Sequence, residues 1–253
     1  MSLAILLAVA ILGIYVFVYQ IGPFSEEMNY FILDLSDPLV ALLAALAASA
    51  VFMQYQRNDG PYKIWLYFAL GMWIWVLAEG IWSFLDFTTG EVPPAGIPDL
   101  FWVGGYVILA LALRSQYQLV THTKIAWWKI VAIWAGITLV DIVGLFLTHT
   151  EFTPENFINY LYPVIDFVLA VVALRLFMVF GGGKLSRPWI GLFVMGVSDF
   201  VWAWLNATGQ YQLASDEGTW LSVFTDSTYV AAYLILAIGF LAQYLLLRFG
   251  PED

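Results

Sequence analysis

Apolar residues dominate this chain in eight long runs separated by short polar connections. A helix needs about 20 apolar residues to cross a bilayer. The runs cover residues 2–22, 30–55, 62–87, 98–119, 126–148, 155–180, 187–206 and 218–248. The connections are rich in Gly, Pro, acidic and amide residues and leave no room for a second domain. The pattern predicts an all-α, polytopic membrane protein of eight transmembrane helices, with residues 1–253 forming one integral membrane domain.

Composition agrees with this class. Apolar residues make up 62% of the chain and charged residues 11%, which is far from the balance of a water-soluble domain. The first run lacks a basic segment and a small-residue cleavage site, so we expect a permanent helix. Absence of cysteine excludes disulfides and thiolate metal sites. For a membrane protein of net charge −10, we expect lipid as a partner and no nucleic acid.

The basic residues predict the orientation. All nine lie at even-numbered connections, adjoining helix ends or the C-terminal end, whereas the other connections carry acids without bases. Cytoplasmic loops carry the excess of Lys and Arg in membrane proteins. We therefore expect a multi-pass protein of the cell membrane with both termini in the cytoplasm. The bases are Arg57, Lys63, Arg114, Lys124, Lys129, Arg175, Lys184, Arg187 and Arg248.

An internal repeat is visible in two pairs of consecutive runs. LAEGIWSFL at 77–85 matches VSDFVWAWL at 197–205 and pairs Glu79 with Asp199, while the following runs pair Asp99 with Asp226. Tyr106 then falls on Tyr233, and further upstream Pro38 falls on Pro163. These matches predict a 4+4 parallel tandem repeat, with residues 1–124 as the first unit and 125–253 as the second. Four spans per unit imply a pseudo-twofold axis along the membrane normal.

Each half carries one acid on each of two consecutive helices, and an aromatic residue follows each acid three positions later on the same helical face. With the orientation above, these acids fall in the outer half of the membrane, and Asp166 lies nearer its middle. An acid near a helix centre costs about 2.5–3.5 kcal/mol on insertion scales, so we expect these groups to face protein, water or a cation. The pairs are Glu79 with Trp82, Asp99 with Trp102, Asp199 with Trp202, and Asp226 with Tyr229.

This pattern predicts an outward-facing, acidic, aromatic-lined cavity. Carboxylates and aromatic faces suit a cationic amine or small amphiphile, and clustered oxygens suit a divalent cation. Alternatives are helix capping for Asp34, Asp37 and Asp99, hydrogen bonding of protonated acids, and an interfacial belt for the tryptophans. The candidate ligand-binding residues are Glu79, Asp99, Asp199, Asp226, Trp82, Trp102, Trp202, Tyr106, Tyr233 and Asp166, of which the first four are the candidate metal ligands.

Other chemistries have little support. His122 and His149 fall in connections predicted on opposite sides of the membrane, so they cannot share a site. Every lysine lies at the predicted cytoplasmic edge, so we expect no retinal Schiff base. The sequences of a nucleophile elbow, a zinc protease helix and a phosphate-binding loop are absent.

The strings E-G-I-W at 79–82, P-P at 93–94, P-D-L-F-W at 98–102 and G-Y at 105–106 resemble a known family. They are similar to the multi-helix membrane sensor regions at the N-termini of bacterial and archaeal histidine kinases and diguanylate cyclases. The resemblance implies a membrane-embedded detector of an unidentified stimulus. After Arg248 only Phe-Gly-Pro-Glu-Asp follows, so signalling would use a separate cytoplasmic protein.

These observations favour a membrane-embedded sensor or ligand-binding protein. The first alternative is a membrane enzyme that hydrolyses lipid with carboxylates or a metal. The second alternative is a small transporter, which the repeat favours and the outward bias of the acids disfavours.

Overall fold

The residues that the structure describes form eight α-helices. The computed structural model describes residues 1–90, 92–93, 95–122, 124, 126–147, 150–181, 186–207, 210–211 and 220–250. Within these residues the regular structure is helical, and seven helices are long and apolar enough to cross a membrane. In α5 the apolar stretch is the shorter Val131–Gly144. The helices are α1 (Ser2–Ile21), α2 (Glu26–Phe52), α3 (Tyr62–Thr89), α4 (Ile97–Thr121), α5 (Trp127–Leu147), α6 (Pro154–Val179), α7 (Arg187–Ala207) and α8 (Trp220–Phe249). The predicted all-α, multi-pass class is confirmed.

Local sequence signals set several helix ends. The Ser25 side chain accepts a hydrogen bond from the Met28 amide and begins α2, and Thr153 does the same with Asn156 for α6. Such side chains satisfy amides that have no partner within the helix. At the other end of a helix, Gly90 adopts the left-handed conformation (φ 70°) and ends α3, a backbone state that glycine enters without steric cost.

Six helices pack in a ring, in the order α2, α3, α4, α6, α7 and α8, and α8 returns to α2. Helix α1 packs on the outside against α8 and α2, and α5 packs against α6. Ring neighbours approach closely along most of their length except at the junction of α4 with α6, which is the sparsest of the six. The ring has a tight side, where α2 meets α8, and an open side, where α4 meets α6.

Matching contacts support the predicted repeat. A side chain on Gly71 of α3 would press on Leu109 of α4, and one on Gly191 of α7 would press on Leu236 of α8. These residues correspond at the same spacings that pair Glu79 with Asp199 and Asp99 with Asp226. Pro38 and Pro163, which the repeat also pairs, lie inside α2 and α6. The different junctions, α2 with α8 and α4 with α6, depart from strict symmetry, so the repeat and its two units stay a prediction.

The two ends of the bundle differ in charge. Helices that follow one another in the chain run in opposite directions, as the contacts of Gly71 with Leu109 and of Trp75 with Trp102 show for α3 and α4. The basic residues among the described ones therefore gather at the end where α1 begins and α8 ends, here called the terminal end. Lys184 lies outside the described residues. The acids of the helices gather toward the opposite end, here called the acidic end.

Candidate functional site

Glu79 joins three helices at the acidic end. It lies on α3 with only 3% of its surface exposed. Its Oε1 accepts hydrogen bonds from the Trp102 indole of α4 at 3.1 Å, from the Tyr233 hydroxyl of α8 at 2.9 Å, and from the Tyr229 hydroxyl. Because the donors come from α4 and α8, a single carboxyl group connects both halves of the chain through direct hydrogen bonds.

Asp166 and Asp199 form a second centre. Asp166 of α6 is fully buried and accepts a hydrogen bond from the Tyr106 hydroxyl of α4. A Cβ at Gly196 would lie 2.7 Å from the Asp166 carbonyl oxygen, so the missing side chain lets α7 approach α6 at this level. Asp199 lies one turn further along α7, where it interacts with Asp166 and the Tyr106 hydroxyl. Residues of α4, α6 and α7 therefore meet at one level of the bundle.

Asp99 has two roles. Its Oδ2 accepts the Gly96 backbone amide at 2.8 Å, which caps the start of α4. Its Oδ1 accepts the Tyr162 hydroxyl of α6 at 2.6 Å. The capping interpretation is right for this residue, and the second oxygen also connects α4 to α6 across the open side of the ring. For Asp34 and Asp37 capping is wrong, because α2 begins at Glu26.

Asp226 accepts hydrogen bonds from residues that lie outside the ring helices. Its Oδ2 accepts the Tyr19 hydroxyl of α1 at 2.7 Å and the Tyr211 hydroxyl at 2.9 Å. Tyr211 lies between α7 and α8, and burial, followed by the charge of Asp226, raises the pKa of its hydroxyl well above the usual value. Tyr211 therefore keeps its proton and remains a donor at ordinary pH.

Every ring helix contributes at least one carboxyl group to this region. Asp199 interacts electrostatically with Asp166, Glu79 and Asp37, and Asp37 also interacts with Asp226. Tyr162 connects the remaining member, since it is bonded to Asp99 and lies within range of Asp166 and Asp199. We call this set the acid cluster: Asp37 of α2, Glu79 of α3, Asp99 of α4, Asp166 of α6, Asp199 of α7 and Asp226 of α8.

The acid cluster has oxygens left over. Among the described residues, Asp37 Oδ1 and Asp166 Oδ2 are buried and have no hydrogen-bond partner. Described Lys and Arg residues lie toward the terminal end, so they do not neutralise the cluster. Buried polar groups are rarely left unpaired in folded proteins. A proton, a water molecule or a cation would satisfy these atoms.

The predicted aromatic residues divide into two groups. Trp102, Tyr106 and Tyr233 donate hydrogen bonds to acids of other helices, and Trp102 donates to Glu79 rather than to Asp99, the acid three positions before it. Trp202 lies at the edge, where its ring packs against Tyr211 with centroids 6.1 Å apart. Trp82 is half-buried and makes no hydrogen bond or ring contact with other described residues.

Sequence reasoning missed several members of the site. Helix capping is the alternative given for Asp37, which is not among the candidate ligand-binding residues, and the donors Tyr19, Tyr162 and Tyr211 are not singled out. A signal was present, because a tyrosine inside an apolar helix needs a partner for its hydroxyl when it is buried. Tyrosines at the depth of the acids were therefore candidate donors.

The described residues contain no group of three or more His, Asp or Glu side chains placed to hold a metal ion. The metal-ligand prediction for Glu79, Asp99, Asp199 and Asp226 therefore gains no support there. Asp216, Glu217 and His149 lie outside the described residues.

Comparison with known proteins adds no relative. No family model matches the chain, and neither a curated protein nor a solved structure matches it.

Proposed function

We propose that this protein is a membrane-embedded sensor or ligand-binding protein whose acid cluster recognises a cation. The observation that carries the proposal is that all six ring helices contribute a carboxyl group to one region without a basic partner. Asp37 Oδ1 and Asp166 Oδ2 are buried there with no hydrogen-bond partner among the described residues. A bound cation would both neutralise the carboxylates and satisfy those oxygens.

An organic ammonium ion suits this site better than a divalent metal ion. A hard divalent ion needs several oxygens within about 2.0–2.6 Å, and the described acids form no such group. An ammonium group instead interacts with carboxylates over longer distances and with aromatic faces. Trp75, Trp102, Tyr106 and Tyr162 pack edge to face or tilted against one another beside the acids, with ring centroids 5.1 to 6.5 Å apart. These rings would contact the apolar part of an amine or small amphiphile.

A ligand at this position would act on the helix junctions. Glu79 connects α3 to α4 and α8, and Asp166 with Asp99 connects α6 to α4. Competition by a cation for these carboxylates would weaken hydrogen bonds that close the ring. The resulting helix shift would be passed at the terminal end to a separate cytoplasmic signalling protein, with both termini in the cytoplasm as the basic residues predict.

The test measures thermal stability of the purified full chain in detergent. Ethylammonium, tetramethylammonium, Ca²⁺ and Na⁺ are added at equal ionic strength to wild type, to a Glu79→Gln/Asp199→Asn double variant and to Glu155→Gln. Glu155 is an exposed acid in the first turn of α6 and serves as the matched control. We expect an amine-dependent rise in the midpoint of unfolding for wild type and for Glu155→Gln, and loss of most of that rise in the double variant.

Equal amine responses in all three proteins would exclude the acid cluster as the site. A response to Ca²⁺ that exceeds the amine response, and that disappears in the double variant, would support a metal site and contradict the preference for an organic cation. Stabilisation by Na⁺ equal to that by the amines would show that ionic strength alone is acting.

A further inference from the structure

A pocket of about 280 Å³ opens at the terminal end of the bundle, far from the acid cluster. The start of α1, the start of α7 and the end of α8 form it, and its lining includes Ser2, Ile5, Arg187, Ala242, Leu245 and Leu246. We propose that this pocket binds the headgroup phosphate of an anionic phospholipid, with Arg187 as the anion-binding residue. The proposal is independent of what the acid cluster binds.

Arg187 carries the charged side chain in the described lining of the pocket, which also includes Met1 with its amino group. It makes no hydrogen bond or ion pair with other described residues, so none of them occupies its guanidinium donors. A guanidinium group presents parallel N–H donors that match two oxygens of a phosphate. The lining contains no carboxylate among the described residues to compete with a phosphate or to hold a quaternary ammonium.

The backbone that carries Arg187 is held firmly. A Cβ at Gly239 of α8 would lie 2.8 Å from the Pro188 nitrogen and 3.0 Å from the Arg187 carbonyl carbon. The start of α7 therefore lies directly against α8 through a glycine. Trp189, two positions further, is buried and stacks on Phe180 with ring centroids 6.1 Å apart. These contacts hold the backbone of Arg187 in place beside the pocket before a ligand binds.

The rest of the pocket is suited to an acyl chain rather than to free phosphate. An apolar wall lies beside the Arg187 guanidinium group and is formed by Ile5, Leu245 and Leu246. Exposed apolar residues continue from Ile5 to Val9 one turn along α1, away from the end of the bundle. A phospholipid has this same order of groups, with a phosphate at the level of the helix ends and hydrocarbon running along the helices. Basic pockets between transmembrane helices bind anionic headgroups.

The experiment measures lipid retention by native mass spectrometry of the full chain in detergent. Dioleoyl phosphatidylglycerol, dioleoyl phosphatidylcholine and inorganic phosphate are titrated separately, and phosphate is also used as a competitor. The variants are Arg187→Gln and the matched control Arg248→Gln, which removes an exposed charge at the same end of the bundle. We expect one phosphatidylglycerol per chain, bound more tightly than phosphatidylcholine. Arg187→Gln should weaken it about tenfold, because a charge-assisted hydrogen-bonded pair is lost.

Arg248→Gln should change the affinity by no more than about twofold, because an exposed charge acts only through the screened field. Equal losses in both variants would show non-specific attraction and overturn the proposal, as would equal binding of phosphatidylcholine. Complete displacement of the lipid by inorganic phosphate would identify free phosphate as the ligand and would overturn the lipid proposal. Should Arg187→Gln not fold, Arg187→Lys keeps the charge without the paired donors, and undiminished lipid binding by that variant would contradict the paired recognition.

Discussion

At the scale of single residues, tyrosine hydroxyls make the buried acids tolerable. Glu79, Asp99, Asp166 and Asp226 each accept at least one tyrosine hydroxyl, and the donor always comes from another part of the fold. A tyrosine donates a hydrogen bond without adding a second charge, so it stabilises a carboxyl group in either protonation state. An ion pair would also have to lose the hydration of two charges, which costs more free energy. The tyrosines therefore bring no positive charge to the carboxyl groups, so a proton or a cation can still neutralise them.

Removal of one donor tests this account. Tyr233→Phe deletes the 2.9 Å hydrogen bond to Glu79 and leaves the ring in place. We expect the free energy of unfolding to fall by about 1–3 kcal/mol, since a buried acid loses a donor. This free energy of unfolding is measured by denaturing the purified protein in mixed micelles while monitoring its tryptophan fluorescence.

Tyr244→Phe is the control for this measurement, because Tyr244 lies on the same helix and its hydroxyl makes no hydrogen bond with other described residues. Its unfolding free energy should stay within about 0.5 kcal/mol of wild type, as is usual for substitutions away from such contacts. If Tyr233→Phe and Tyr244→Phe lowered the free energy of unfolding equally, the hydrogen bond from Tyr233 to Glu79 would contribute no stability of its own.

The sequence singled out acids that lie in one region of the fold better than it predicted their hydrogen-bond partners. Glu79, Asp99, Asp166, Asp199 and Asp226 were recognised because an acid in an apolar run is costly wherever it lies. Partners depend on which helices adjoin, and that information is not contained in spacing along one helix. Trp102 therefore lies three positions after Asp99 but donates to Glu79.

At the scale of the helices, glycines control how closely neighbours approach. Gly71 lets α3 approach Leu109 of α4, and Gly191 lets α7 approach Leu236 of α8. In a membrane, helix association depends on close packing because lipid is as apolar as the side chains, so small residues at the contacts matter most. Both contacts lie in the helix pairs that carry Glu79 and Asp199, and they set the distance at which those acids meet their neighbours.

Alanine substitution tests the contacts. In Gly71→Ala the new methyl group would lie 2.9 Å from Leu109, and in Gly191→Ala it would lie 2.7 Å from Leu236 and 3.0 Å from a backbone nitrogen. We expect losses of about 1–3 kcal/mol from overpacking in both. The loss should be larger at Gly191, because the backbone nitrogen of Leu236 cannot move away from the new methyl group as the Leu109 side chain can at Gly71. The same micelle unfolding assay gives the values.

Gly80→Ala serves as the opposite control on α3, because nothing lies within 4 Å of its added Cβ. There alanine should leave stability unchanged or raise it by about 0.5–1 kcal/mol through helix propensity. Stabilisation at Gly71 or Gly191 to the same extent would contradict the close contacts and weaken the structural support for the repeat.

Helix bounds were predictable because each span must cover the same apolar thickness, and the ends of the observed helices lie within a few residues of the predicted runs. The order of helices around the ring was not predictable. Strict twofold symmetry would make the junction of α4 with α6 equal to that of α2 with α8, but the first is open and bridged mainly by long side chains such as Tyr106 and Tyr162. Such differences arise from packing between distant segments, which local patterns do not encode.

At the scale of the whole molecule, charge is separated along the bundle. Acids without bases occupy one end, and the described basic residues occupy the other, where Arg187 lines its pocket. The two ligands that we propose follow this separation, with a cation at the acidic end and an anionic headgroup at the terminal end. It also predicts the orientation, because basic loops remain in the cytoplasm during insertion.

Single-cysteine labelling in intact cells tests that orientation cleanly, since the chain has no native cysteine. Asn58 lies in the exposed connection at the terminal end, and Gln210 is exposed between α7 and α8 at the acidic end. We expect Gln210→Cys to react with a membrane-impermeant maleimide added outside, and Asn58→Cys to react only after the membrane is permeabilised, because the basic end remains in the cytoplasm. Comparable labelling of both after permeabilisation controls for access. The reverse pattern would place the acid cluster toward the cytoplasm, and a signalling protein that contacts the terminal end would then have to act from outside the cell.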